Sequence, residues 1–434
     1  MGVNSRILTP NNKLSEEVQS SSELDSNLLR HSSLMLIASA SSFFFAFLFH
    51  FIMGKRLGPS DYGVLFALLS VFIIITTPVI NSLQLGVAKQ TATFNVDKEF
   101  DKIRFILCWM IKRAFVVFVL VSILVAIASP AILDFLKIES IVPLICIVAT
   151  LPFIAILAVT RGVLRGIDDY KHLAPNVGLE KAVMLVLGIM LVFLGFGIGG
   201  ALVSYGLAAL IMFIISLIPL KSLLREKGTP CPVGIYRDSW LVFFASLCLT
   251  TMVCADQLLV KHFCDSEEAG YFAAVSQLGK VIFYSSMALG AVLLPKVSAR
   301  QGLKEAQIRL LNGSLLYMGL ISTVLLLFYL LAPSYCLRYS YGAEYLPGSE
   351  LMGIYGIAMA LLSFSVILIY YNISIDQSKF LYGLIGCTFL EIVLLIFFQG
   401  NLTHMIWVLI TTFSILLIIN ISLNLKHITM IWIR

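Results

Sequence analysis

The sequence predicts an all-α, polytopic membrane protein of about twelve transmembrane helices, arranged as two six-helix lobes. Three observations predict it: a surplus of apolar side chains, the length and spacing of the apolar runs, and a repeat relating the second half of the chain to the first. Of 434 residues, 59% are hydrophobic and 12% charged, and mean hydropathy is +0.96. A soluble core of this size needs far less apolar side chain, so a bilayer is the natural solvent for the surplus.

A helix needs ~20 mostly apolar residues to cross a hydrocarbon core of about 30 Å. Runs of that length cover 34–53, 62–84, 105–129, 141–160, 174–195, 199–220, 239–260, 270–294, 312–334, 350–373, 380–398 and 404–425. They are predicted to be helices because a lipid-facing backbone must pair its own amides and carbonyls, and the runs are too long and continuous for barrel strands. Residues 1–33 are polar, rich in Ser and Asn and of mixed charge, and read as a cytoplasmic polar tail. A secretory signal would place a shorter apolar run nearer the start. The lobes are expected at 34–220 and 239–425, with a polar cytoplasmic linker at 221–238 and a short cytoplasmic tail at 426–434.

Orientation follows from the loops. The tails and alternate loops hold 21 of the 30 Lys and Arg, the opposite loops hold 5, and Lys112, Arg113, Lys181 and Lys280 fall inside spans. By the positive-inside rule both termini are cytoplasmic. The net charge of +6 is thus a topology signal, and no basic segment interleaved with aromatics points to nucleic acid. Tyr62, Tyr271, Trp240 and Trp407 sit at expected span ends, where aromatic rings favour the membrane interface. The eight cysteines are scattered, without metal-ligand spacing, and read as apolar fillers. Only Cys264 and Cys336 fall in the loops opposite the basic ones, the one pair open to bridging there.

The repeat supports the two lobes. G-V-L-F-A-L-L-S from Gly63 aligns with G-Y-F-A-A-V-S-Q from Gly270, placing Lys89 opposite Lys296 at a shift of 207. I-D-D-Y-K-H-L from Ile167 meets I-D-Q-S-K-F-L from Ile375 at a shift of 208, and Pro130 matches Pro333 at 203. Apolar helices resemble one another by chance, but these matches include charged and Gly positions in loops and nearly share one shift. An even number of spans per half makes the relating axis run along the membrane normal.

Ionisable groups inside spans cost ~2.5 to 3.5 kcal/mol on insertion scales, so each invites a functional reading. Lys280 is near the middle of its span, where snorkelling is hardest. Lys112 and Arg113 are nearer the cytoplasmic end, where snorkelling is the plainer reading. Glu180 and Lys181 point about 100° apart on their helix and are expected not to pair. Asp256 and Glu391 are the strongest intramembrane acids, and the repeat sets His50 opposite Asp256 at a shift of 206. Asp256, Glu391, Glu180 and His50 are candidates for ion coupling; a structural Asp256–Lys280 salt bridge is the equally weighted alternative.

Several segments resemble a known family: G-K-R-L-G-P-S-D-Y-G-V-L-F-A-L-L-S from Gly54, T-R-G-V-L-R-G-I-D-D-Y from Thr160, A-D-Q-L-L-V-K-H-F from Ala255, E-A-G-Y-F-A-A-V-S-Q-L from Glu268 and L-L-P-K-V-S-A from Leu293. In this order, on a twelve-span chain, they are similar to the Wzx-type oligosaccharide flippases and polysaccharide biosynthesis proteins of the multidrug, oligosaccharidyl-lipid and polysaccharide (MOP) exporter superfamily. The resemblance implies a MATE-like fold around a cavity open to one side at a time. It implies a transporter in the cytoplasmic (inner) membrane, not an enzyme, with neither cofactor nor metal. The cargo would be a lipid-linked oligosaccharide moved from the cytoplasmic to the outer leaflet, the partners membrane lipids and other polysaccharide assembly proteins. Phosphates of that cargo need cations, a role that maps onto Lys280, Lys181, Arg113 and Lys112.

Two other readings stay open. An ion-coupled exporter of drugs or metabolites with the same fold would be favoured by a surplus of cavity acids, yet the four intramembrane cations outnumber Glu180, Asp256 and Glu391. A membrane glycosyltransferase or polymerase would need a large outer loop to carry catalytic carboxylates, and no metalloprotease, nucleophile-elbow or P-loop pattern is present.

Overall fold

A computed structural model describes residues 10–225, 227–232, 234, 239–298, 300 and 303–428. The expected tails are described only as far as these limits, as is the linker; residues 1–9, 235–238 and 429–434 lie outside them. The described chain is helical, with no strand among the described residues. The helices are α1 (Pro10–Val96), α2 (Phe100–Ile127), α3 (Ser129–Leu136), α4 (Val142–Val148), α5 (Leu151–Gly166), α6 (Tyr170–Leu191) and α7 (Gly197–Leu217), followed by α8 (Trp240–Phe263), α9 (Ser266–Ser298), α10 (Lys304–Leu331), α11 (Pro333–Ser340), α12 (Met352–Ser374), α13 (Phe380–Phe397) and α14 (Leu402–Ile428).

Ten helical stretches among the described residues are long and apolar enough to cross a membrane. Two of them, Ser33–Val96 and Tyr170–Leu217, are 64 and 48 residues long, and each contains two of the twelve expected spans. The first is broken at Gly58 (φ 77°, ψ 172°), the second at Gly195 (φ 91°) and Gly197 (φ 52°). Positive φ is strained for a residue with a Cβ, so glycine is what lets the path change direction. Beyond Gly58 the chain folds back: the Tyr62 hydroxyl lies 3.2 Å from His50 Nδ1. Twelve residues of straight helix would hold them about 18 Å apart.

The repeat is visible in the backbone. Helices α2 and α10 are each 28 residues long, and each is followed by an 8-residue helix with Pro in its first turn, Pro130 in α3 and Pro333 in α11. Asp168 and Asp376, paired by the shift of 208, both adopt left-handed backbone, at φ 58° and 54°. Helix α1 packs against α5, α6 and α7 of the first half and against α8 and α9 of the second. In the second half α12 packs on α9, α10 and α14, and α13 packs on α8 and α14.

Burial falls outward from this centre. The most apolar window of Ala343–Ser374 is 72% buried, those of α2 and α10 only 17%. Leu124, Leu331, Phe389 and Phe397 stand fully on the outer surface. Each such side chain left in water would forgo about 1.5–3 kcal/mol of burial, so the exposed belt is stable only against lipid. Trp240 and Trp407 are half exposed, in keeping with an interfacial place, whereas Tyr62 is completely buried and so is not an interface residue. All eight cysteines are free, Cys264 and Cys336 included.

Candidate functional site

Between the two halves lies a cavity of about 540 Å³. The first half contributes Phe43, His50, Phe66, Ser70, Asn81, Gln84 and Arg165, the second Ser246, Thr250, Gln277, Lys280, Tyr284 and Tyr370. Apolar walls studded with amides, hydroxyls and a few cations suit an amphiphilic ligand with polar groups to be oriented.

Lys280 of α9 is the buried cation of this cavity, 2% exposed, with Nζ 5.1 Å from the centre of the Phe66 ring. Behind it, Asp256 of α8 is 3.9 Å away, an ion pair longer than a hydrogen bond. The Asp256 carboxylate is fixed by other donors: the Tyr355 hydroxyl at 2.7 Å and the Gln257 amide at 2.7 Å. Tyr355 lies 3.1 Å from Ser276 Oγ. With Asp256 anchored by Tyr355 and Gln257, the Lys280 ammonium is held only loosely, by distance attraction and the ring face. Glu391 of α13, completely buried, feels the charges of both Asp256 and Lys280, and neither of its oxygens has a hydrogen-bond partner among the described residues.

One end of the cavity is shut. His50 Nδ1, Tyr62 and Tyr341 form a chain, with 3.2 Å at each link. The Tyr345 hydroxyl donates to the Gly54 carbonyl at 2.8 Å, and Lys55 donates to the Tyr339 carbonyl at 2.7 Å. The Tyr62–Tyr341, Tyr345–Gly54 and Lys55–Tyr339 bonds join residues more than 270 positions apart, so they tie first half to second. The backbones also touch there: a Cβ on Gly63 would meet the Gly270 amide at 2.9 Å and the Ser266 carbonyl at 3.0 Å. The shut end is the one with the loops poor in Lys and Arg; Arg165 and Ile373 line the cavity toward the basic end.

The other expected residues lie elsewhere. Glu180 of α6 accepts from Arg161 Nη1 at 2.7 Å and from Lys181 Nζ at 2.9 Å. The expectation that Glu180 and Lys181 do not pair is therefore corrected. Their Cβ atoms diverge, but Arg161 of α5 pins the carboxylate and the long lysine stem bends round to it, with its ammonium 5.2 Å from the centre of the Tyr205 ring. Arg161 also donates Nε to Asn176 Oδ1 and Nη2 to the Asn176 carbonyl, both at 2.7 Å. Lys112 and Arg113 are exposed on α2, away from the central cavity, and Arg113 lies over the Trp109 ring at 4.8 Å. The structure thus brings together Lys280, Asp256 and Glu391, with His50 on the same cavity, whereas Glu180, Lys181, Lys112 and Arg113 do not line it.

Sequence reasoning missed Arg161, Arg165 and the tyrosine plug. The apolar run ends at Thr160 and leaves both arginines outside the expected span, but α5 continues to Gly166. A run of T-R-G-V-L-R-G, with arginines four apart on one helical face, was the available signal.

The family profile described as "Polysaccharide biosynthesis protein" matches residues 52–350, more than half of the chain. The chain belongs to the polysaccharide biosynthesis protein family. No curated protein matches it. Among solved structures it is similar to an inward-facing multidrug resistance MATE family transporter of the MOP superfamily, with TM-score 0.78, 15% identity and 91% of this chain and 98% of that one covered. An outward-facing MATE family transporter gives TM-score 0.66, 16% identity and coverage of 93% and 95%. A MOP superfamily transporter from Pyrococcus furiosus, described as having a binding pocket of reverse polarity, gives 0.64, 20% identity and 93% and 95%. This member of the polysaccharide biosynthesis family is a multi-pass membrane protein with the MOP transporter fold.

Proposed function

We propose that the protein flips a lipid-linked oligosaccharide from the cytoplasmic to the outer leaflet of the cytoplasmic membrane by alternating access, with both termini cytoplasmic. The observation that carries this reading is Lys280: a buried cation in the wall of the cavity between the halves, held loosely enough to be taken by a phosphate. Charge-assisted hydrogen bonds to phosphate exceed a 3.9 Å ion pair in strength, so an anionic cargo competes well for this ammonium. Gln277, Asn81, Ser246 and Tyr284 offer the amides and hydroxyls a sugar needs.

Coupling is assigned to the acids behind Lys280. A cation or proton taken up beside Asp256 and Glu391 neutralises the Glu391 carboxylate, which has no hydrogen-bond partner among the described residues, and so stabilises the state that binds it. The same acids favour the exporter of cationic drugs as the second reading, because removal of Lys280 from the balance leaves a site of net negative charge.

The test is depletion of the protein in its own cells, followed by extraction of lipid-linked saccharides and treatment of intact cells with a membrane-impermeant glycan-modifying enzyme. Accumulation of cytoplasm-facing intermediates, reproduced by Lys280→Ala at normal protein level, is the expected result. Unchanged sidedness on depletion overturns the flippase reading, and wild-type export by Lys280→Ala removes Lys280 from the phosphate site.

A further inference from the structure

The lipid-facing side of α10 does not stop where α10 stops. Tyr317, Leu320, Val324, Phe328 and Leu331 stand exposed along it, three or four residues apart, and the same spacing runs on through Tyr335 and Tyr339 of α11. Tyr335 and Tyr339 are 74% and 87% exposed, while Cys336 and Leu337 between them are buried against the protein. The stretch from Arg309 to Leu331 carries no charge inside it and rises about 33 Å, enough to cross a hydrocarbon core of about 30 Å. Helix α11 therefore starts where hydrocarbon gives way to headgroups, a level that tyrosine and arginine favour. Arg338, exposed between the two tyrosines, has neither a hydrogen bond nor an ion pair among the described residues.

The matched helix of the first half is held differently. The shift of 203 sets Tyr335 opposite Ile132 and Tyr339 opposite Leu136, and Leu136 is buried. There α3 is seated on protein: the Phe135 ring stacks on His262 of α8 at 4.2 Å, and the Phe135 carbonyl accepts from His262 Nδ1 at 2.6 Å. The aromatic face of α11 has no such protein seat, so its partner is the layer that surrounds it.

The other face of α11 enters the latch. Ala332 leaves the helical path (φ −137°, ψ 46°) and Gly342 takes φ 113°, which makes α11 a short rod between two joints. The Tyr341 amide donates to the Leu337 carbonyl at 2.7 Å, fixing Tyr341 to the last turn. From there the Tyr341 hydroxyl meets Tyr62, the Tyr339 carbonyl accepts from Lys55, and the Tyr341 ring lies so close to Gly54 that a Cβ there would overlap it.

We propose that α11 is a lever seated by its tyrosine face among the phospholipid headgroups at the shut end, so that this leaflet supports closure of the cavity. Tyr335 and Tyr339 hold their rings in the interface, Arg338 meets lipid phosphate, and the packed face carries that position to Tyr341 and Lys55. Parting the halves here draws Tyr341 off Tyr62. A tilt of the second half that does so must also drag two aromatic rings out of their layer. The inference concerns bulk lipid rather than cargo, and stands whatever the cavity carries.

The test uses the full chain in vesicles of phosphatidylethanolamine and phosphatidylglycerol, in a background without native cysteines. Nitroxides on Val324→Cys, Tyr335→Cys and Tyr339→Cys are compared for collision with oxygen, which concentrates in the bilayer, and with a water-soluble nickel chelate. The first is expected deep and the other two at headgroup depth; nickel collision at the two tyrosine positions equal to that at exposed Glu344→Cys overturns the seat. For the lever, spin labels at Ser140 and Glu350 report the separation of the halves at this end. Tyr335→Ser with Tyr339→Ser should move the population about fivefold toward the longer distance. Tyr335→Trp with Tyr339→Trp should keep the parent's distribution, and Tyr382→Ser, which removes an exposed ring on α13, should change nothing. A double serine variant with the parent's distribution overturns the lever, and so does a shift that the tryptophan pair shares, because the interface would then not be its cause.

Discussion

Replacing Gly270 by Ala puts a methyl group into the backbone of the opposite half at the shut end of the cavity. The added Cβ would overlap the Pro59 carbonyl group and come within 2.8 Å of Pro59 Cα. Carbon atoms settle about 3.5–4.0 Å apart, so the two backbones must part by at least about 0.7 Å. No flexible side chain stands in the way to yield instead. Overpacking of this kind costs about 1–3 kcal/mol, here charged only to the conformation that is shut at this end. The balance should therefore move about 5- to 150-fold toward the form open there. Spin labels at Ser140 and Glu350, exposed positions of the two halves at this end, report the change as a longer distance distribution. Gly386→Ala is the control, since nothing lies within 4 Å of the Cβ it would add. A folded Gly270→Ala protein with the parent's distance distribution would refute the argument that this glycine contact holds the end closed.

Three other outcomes are expected. Tyr62→Phe removes the hydroxyl that links His50 to Tyr341, and should weaken closure by about 0.5–1.5 kcal/mol, read with the same labels as a smaller shift in the same direction. Asp256→Asn leaves Lys280 without its nearest acid and should destabilise the protein, while Asp256→Asn with Lys280→Met should recover part of the loss; thermal unfolding of the four proteins should give a coupling of about 0.5–3 kcal/mol, and strict additivity would deny the pair. Glu391→Gln replaces a buried carboxylate without hydrogen-bond partners among the described residues by a neutral group of the same shape, and should not lower the thermal midpoint, while the response of transport to an imposed pH or sodium gradient should fall.

The helical class, the belt of apolar faces and the duplication were legible because each rests on local or periodic signals. A run of apolar residues is read without knowing its neighbours, and Asp168 and Asp376 could be paired before their shared left-handed backbone was seen. Lys280 and Asp256 were legible for the same reason, since a charge in mid-span is conspicuous by itself. The tyrosine plug was not, because its meaning lies in contacts between Tyr62 and Tyr341, 279 positions apart, and a tyrosine at a span end looks the same whether it faces lipid or a partner. Arg161 was hidden differently: its pairing with Asn176 and Glu180 makes a charge tolerable in a helix that hydropathy alone ends too early. Lys112 and Arg113 show the converse, charges at apparent depth that prove exposed because α2 lies on the outside.

The repeat also explains how one architecture serves two ends of the same cycle. His50 and Asp256 occupy matched positions in the two halves, yet they answer to different partners. Asp256 faces inward to Tyr355 and Lys280, forming the charge cluster, whereas His50 faces Tyr62 and belongs to the latch. Phe66 joins them: the Lys280 ammonium is 5.1 Å from the centre of its ring, and the rings of His50 and Tyr62 pack on it at 5.4 and 5.9 Å. An anion that draws the ammonium off this ring removes a cation–π contact from the residue supporting the latch. Occupancy of the cavity and strength of the shut end therefore share one side chain, and a ligand that changes the first has a physical means of biasing the second.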